Sequence, residues 1–78
     1  MTLGELLKSR REALGMTLDD VADAAGCSKS HVWEIENHKS LKVSLILAAR
    51  LSVALGLQVS LMAAAALESE RISAEIPK

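Results

Sequence analysis

The sequence predicts a single all-α domain built around a central helix-turn-helix. Three observations carry that prediction: an aliphatic composition, apolar residues recurring at intervals of three and four, and a regular succession of Ser or Thr caps and Gly stops. At 78 residues the chain forms one domain, because a chain this short buries only roughly 60% of the surface its unfolded form exposes and cannot divide into two cores. Half of its residues are apolar, and Trp33 is its only aromatic side chain. The core must therefore come from Leu, Ile, Val, Met and Ala, a composition that favours helices over sheet.

The elements follow in order. Leu3, Leu6, Leu7, Ala13 and Leu14 keep helical spacing, and Thr2 with Glu5 three positions later has the form of a capping box, so the first helix runs to about Leu14. Gly15 supplies its stop. Thr17 and Asp20 repeat the capping signature for a second helix of roughly two turns, with Leu18, Val21, Ala22 and Ala25 on its inner face. Gly26 ends it, and Ser28 caps a third helix whose inner face carries Val32 and Ile35. Asn37 to Val43 is polar, rich in turn-formers and without helical period, and reads as a loop. The fourth helix, Ser44 to Leu55, is apolar on nearly every side and closes at Gly56. A helix of that kind is either central or covered on a second face by a partner, and a domain this small predicts a partner chain. Over residues 57–62 two readings stand: Val59, Met62, Ala63 and Ala66 can line a helix, whereas Leu57, Val59 and Leu61 can alternate as a strand. The alanine run favours the helix. Residues 68–78 are polar, contain Pro77 and read as a frayed tail.

Composition also narrows the function. One cysteine excludes a disulfide framework and a Cys-rich zinc site, and His31 and His38 are too few for a metal centre without other ligands. Cys27 reads as a small, inert, buried side chain in a reducing compartment. The apolar stretch Leu51 to Leu67 is broken by Ser52, Gly56, Gln58 and Ser60 and falls short of a membrane span. No signal pattern is visible, so the expected location is cytoplasmic. No metal and no cofactor are expected. An enzyme is disfavoured by the lack of a phosphate-binding glycine loop and of a nucleophile with a paired base; Ser28 and Ser30 near His31 are better explained by capping and exposure. The net charge of −1, nine basic against ten acidic residues, argues against coating nucleic acid by bulk charge and requires any such contact to be local.

One constellation exceeds what composition explains. Two short helices meet through Ala25-Gly26-Cys27-Ser28, with small Ala22 facing the joint, Gly26 able to take the positive φ of the turn, and Val32 and Ile35 anchoring the second helix. This is the spacing of a helix-turn-helix, a motif that most often places its second helix in the DNA major groove and also occurs as a plain helical hairpin.

The run from Leu3 to Asn37, LGELLKSRREALGMTLDDVADAAGCSKSHVWEIEN, resembles the Xre family, the Cro and phage-repressor class of regulators, and the likeness extends to about Met62. The resemblance implies an all-α, five-helix phage-repressor-like DNA-binding domain over residues 1–67, with the fifth helix dimerising. It also implies a homodimer on palindromic double-stranded DNA, and control of transcription. Ser28, Lys29, Ser30, Trp33 and Glu34 would then face base edges. Lys29 suits guanine O6 and N7, the serines donate or accept, and Glu34 suits the cytosine amino group or is simply an exposed helix charge. Trp33 lies either over a thymine methyl or sugar or back on the domain, and the absence of any other aromatic favours the DNA side or the rim.

Thr17, Asn37, Lys39, Lys42 and Ser44 would meet phosphate, in keeping with three cations and no acid between Asn37 and Arg50. Lys8 and Arg10 are further phosphate candidates. Arg11 and Glu36 match a structural ion pair, and Val59, Met62, Ala63 and Ala66 would form the dimer interface. Two positions depart from the family pattern: Leu18 replaces the usual glutamine that opens the second helix, and His38 replaces a glycine, implying a different loop path or a left-handed residue. A repressor is the leading expectation. The alternative is an antitoxin that represses its own operon and binds a toxin or another protein, suggested by a likeness of Gly56 to Met62 to strand-paired antitoxins.

Overall fold

The computed structural model describes residues 1–39 and 43–75, the side chains of 72–75 excepted. Five helices follow one another: α1 Leu3–Ala13, α2 Leu18–Ala25, α3 Lys29–Glu36, α4 Leu45–Leu55 and α5 Val59–Glu75. Four of the five begin where a hydroxyl takes a free backbone N–H. Thr2 and Thr17 form full capping boxes with Glu5 and Asp20, Ser28 accepts from the His31 N–H, and Ser44 accepts from the Leu47 N–H. Each such cap contributes about 1 kcal/mol by satisfying a donor that the helix leaves unpaired. Gly26 closes α2 at φ 70°, a conformation that costs other residues strain, and it lets α3 turn back at once against α2. His38 follows α3 with φ 61°, so it is the left-handed residue anticipated in place of glycine.

The core is aliphatic. Leu7, Ile35, Leu51, Leu55, Val21 and Val32 are fully enclosed, joined by Leu3, Ala22, Ala25, Met62 and Ala65. α2 packs against α3 and α4, while α1 packs against α3 and α5. At the crossing of α1 and α3 stands Gly4, where a Cβ atom would lie 2.6 Å from the Ile35 carbonyl oxygen and 2.7 Å from that of Glu36. Only a residue without a side chain permits that approach. α4 buries Leu51 and Leu55 and leaves Leu45 and Val53 at 79% and 85% exposure. Its second apolar face is uncovered among the described residues, as its sequence suggested.

Over residues 57–62 the favoured helix is found, α5 beginning at Val59, and one expectation needs correction: residues 68–75 do not fray, since α5 continues to Glu75. The cause is Ser69, which is 4% exposed: its hydroxyl accepts the Leu3 N–H at 2.8 Å and donates to the Ala65 carbonyl at 2.9 Å. A polar residue here satisfies a free donor at the start of α1 and holds the end of the chain against its beginning. The Met1 ammonium adds an ion pair to Glu68 at 2.8 Å. Among the described residues no single helix is long and apolar enough to cross a membrane.

Candidate nucleic-acid interface

The two faces of α3 differ completely. Val32 and Ile35 point into the core at 1% exposure each, which fixes the helix in rotation and height. The opposite face turns Ser28, Lys29, Ser30, Trp33 and part of Glu34 outward. Trp33 is 46% exposed, so the indole is half open to solvent.

Lys29, Ser30, Trp33 and Glu34 line a groove of about 540 Å³ together with Leu18 from the start of α2 and Lys39 from beyond α3. Four of the five expected base-reading residues are thereby brought together with one expected phosphate-binding residue. Ser28 lies beside them at the helix start, its oxygen already accepting from the His31 N–H at 3.1 Å and its O–H remaining as a donor. Asn37 is exposed, with its side-chain amide donating to the Trp33 carbonyl at 2.9 Å. That bond leaves the amide oxygen and one N–H for other partners. Thr17 and Ser44 are exposed caps, and each keeps a free hydroxyl proton to donate. Ser44 lines a second groove, of about 300 Å³, between α4 and α5 with Val43, Leu45, Ala48, Val59, Met62, Ala63 and Ala66. Lys42 lies outside the described residues.

Two features of this face escaped the sequence reading. Leu18, read as an inner-face residue and a missing hydrogen-bond donor, is only partly buried and lines the groove together with the indole. Asp19 places a carboxylate 3.7 Å from the Lys29 ammonium, with the side chains 68% and 60% exposed. Neither relation has a local signal, because both partners sit on different helices and meet only through the turn.

The scaffold behind the face is braced by two arginines. Arg11 donates from Nε and Nη2 to the two oxygens of Glu36 at 2.7 and 3.0 Å, and from Nη1 to the Met16 carbonyl at 3.0 Å. The Glu36 carboxylate holds the Arg11 guanidinium above its ordinary pKa. This is the expected structural pair, linking α1, the α1–α2 turn and the end of α3. Arg10 has a partner the sequence did not show: its Nε donates to the Leu55 carbonyl at 2.7 Å, capping α4 with a cation where the helix dipole is negative. That bond takes one of the five guanidinium N–H donors.

The expected dimer residues also divide. Val59 and Ala63 are exposed and Ala66 is partly so, but Met62 is 3% exposed and belongs to the chain's own core. Met62 faces inward because it shares a helix side with Ala65 and Ser69, three and seven residues on. Cys27 is partly buried, and burial pushes its thiol pKa up. No group of three or more His, Cys, Asp or Glu placed to hold a metal occurs among the described residues.

Comparison with known proteins gives a consistent result. The family model described as "Helix-turn-helix domain" matches residues 2–65. Among solved structures, the clp gene regulator ClgR from Corynebacterium glutamicum is similar in two crystal structures. One is 34% identical, with a TM-score of 0.69, covering 86% of each chain. The other is 33% identical, with a TM-score of 0.73, covering 92% of this chain and 76% of that one. The restriction-modification controller protein C.AhdI from Aeromonas hydrophila is 27% identical, with a TM-score of 0.71, covering 77% of this chain and 89% of that one. No curated protein matches the chain.

Proposed function

The chain belongs to the Xre, Cro-like family of helix-turn-helix DNA-binding transcriptional regulators, and from that membership we propose that it is a cytoplasmic repressor, not an enzyme, which binds a palindromic operator as a homodimer. The observation that carries the proposal is the division of α3 between an inner face locked by Val32 and Ile35 and an outer face that opens with Lys39 into one groove. A helix held that rigidly presents its side chains to base edges at fixed register, which direct readout requires. Lys29, Ser28, Ser30, Trp33 and Glu34 are assigned to bases, and Thr17, Asn37, Lys39, Lys42 and Ser44 to phosphates.

The dimer is assigned to the uncovered apolar surface of α4 and α5, where Leu45, Val59, Ala63 and Leu67 are exposed and Ala66 is partly so. Large exposed aliphatic side chains in such number mark an association surface. Two recognition helices about 34 Å apart would then enter successive major grooves, and repression follows by occlusion. The antitoxin reading rested on a strand over Gly56 to Met62; Val59 to Met62 open α5 instead, so the repressor reading has the better support.

Selection of bound fragments from random DNA, followed by titration over a range of salt, tests the proposal. A palindromic consensus is expected. With three or four phosphates neutralised per subunit, log affinity should fall against log salt with a slope of about −5 to −7. Absence of salt-dependent DNA binding would assign the motif to protein contacts instead, and a consensus without symmetry would remove the homodimer.

A further inference from the structure

We propose that Leu18 and Trp33 form an apolar slot that receives the C5-methyl group of a pyrimidine in the major groove. The inference rests on the DNA-binding reading and adds a chemical specificity to it.

The groove on the outer face of α3 combines two kinds of wall. Lys29 and Lys39 supply cations, Ser30 and Glu34 supply hydrogen-bonding groups, and the isobutyl group of Leu18 and the indole of Trp33 line the same groove. The polar members have many complements on a duplex, namely phosphate oxygens and base-edge donors and acceptors. The apolar members have one, because the C5-methyl of thymine is the single apolar group that an unmodified base pair shows in the major groove. A methylated cytosine carries the same group at the same carbon.

Placement agrees with chemistry. Leu18 opens α2 and packs in part against the core, so its position is fixed. Trp33 is one residue beyond the buried Val32, and its backbone carbonyl is held by the Asn37 side chain. The indole is therefore mounted on a helix that cannot rotate. The two lysines carry the charge that draws the backbone in, and the serine and glutamate remain available to the same base or its neighbour. At the position where a glutamine would donate and accept hydrogen bonds, Leu18 does neither; burying a methyl is what it can do.

The test uses the full chain and an operator recovered by selection. Each thymine is replaced in turn by uracil, which removes the methyl and leaves every hydrogen-bonding group of the base in place. At one position per half-site the replacement should weaken binding about fourfold, and about fifteenfold when both half-sites are changed, the equivalent of roughly one buried methylene each. In Trp33→Ala, and separately in Leu18→Ser, thymine and uracil at that position should bind alike. Because Leu18 also packs on the core, the readout is the thymine-to-uracil ratio, which a general loss of folding leaves unchanged. Placing cytosine and then 5-methylcytosine there distinguishes the sources: recovery of affinity on methylation adds methylcytosine to the accepted groups, and no recovery assigns the slot to thymine.

The proposal is overturned, with DNA binding intact, if no uracil replacement costs more than experimental error or if the cost persists undiminished in both variants. Failure to recover any bound DNA overturns the DNA-binding reading along with it.

Discussion

Replacing Glu36 with Gln tests how the reading helix is held. The carboxylate is 3% exposed and the Arg11 side chain 15% exposed, and their contact is bidentate. Two charges withdrawn from water in this way offset each other, so removing one leaves the other uncompensated at a cost of about 3 kcal/mol or more. Arg11 keeps its bond to the Met16 carbonyl, which places the estimate at the low end of the range. For a domain of this size 3 kcal/mol corresponds to a fall in Tm of about 12 to 24 °C, a large share of a total stability on the order of 5 to 15 kcal/mol. Arg11→Met should cost a similar amount. The double variant Arg11→Met, Glu36→Leu should recover most of the loss, since an apolar pair in the same space carries no desolvation penalty. Urea unfolding followed by far-ultraviolet circular dichroism measures all four proteins on one scale. A loss below about 1 kcal/mol in Glu36→Gln, or a double variant as unstable as the sum of the two singles, would show that the pair is solvated and that the bracing of α3 lies elsewhere.

Gly4→Ala should destabilise the protein by up to about 2 kcal/mol, because overpacking of about 1 to 3 kcal/mol against the Ile35 and Glu36 carbonyls outweighs a gain in helix propensity of about 1 kcal/mol; a higher Tm would mean that the α1–α3 crossing yields. Asp19→Asn should leave stability within about 0.5 kcal/mol, raise affinity for random DNA and steepen the salt slope by about one per subunit, since the Lys29 ammonium loses its partner at 3.7 Å; an unchanged salt dependence defeats this. Lys39→Ala should weaken binding to all sequences alike, and an altered selected consensus would move Lys39 from phosphate to base. Glu5 is held below the ordinary carboxylate pKa of 4.5 by the Thr2 backbone N–H and then its hydroxyl. Its contribution is present above pH 4.5 and disappears as pH falls through the lower folded value, so the stability gap between wild type and Glu5→Gln should close in acid, as urea titrations at several pH values will show.

Local chemistry was legible in the sequence. Thr2 with Glu5, Thr17 with Asp20, Ser28 and Ser44 each announce a helix start because capping is decided within three residues. The outward face of α3 was legible too, since burial of Val32 and Ile35 dictates where their neighbours point. What escaped depends on distant partners. The extent of α5 was hidden because Ser69 looks like a solvated residue until the free Leu3 N–H is placed beside it. Met62 was assigned to a partner chain because the helical pattern of α5 shows an apolar residue without showing which side of the helix meets the core. The structural bond of Arg10 was hidden for the same reason, its acceptor being the Leu55 carbonyl on another helix. The Leu18 and Trp33 slot joins two positions fifteen residues apart in the sequence and exists only once the turn has folded.

These contacts also explain how a chain with a net charge of −1 is suited to DNA. Arg10 caps α4, Arg11 is neutralised by Glu36, and Lys29 is shared with Asp19. The scaffold thus neutralises Arg11 and engages Arg10 and Lys29 in part, which would weaken general attraction to phosphate. Weak general attraction is an advantage to a regulator, because affinity for random sequence competes with the operator at every other site of a genome. On the proposed reading, specific affinity would then come from the polar and apolar groups lining the α3 groove and from holding two such half-site readers together. In the proposed dimer, tethering would turn the second binding event into an intramolecular one and multiply modest half-site affinities, which would make association of the chains through the exposed aliphatic surface of α4 and α5 as decisive for recognition as any side chain on α3.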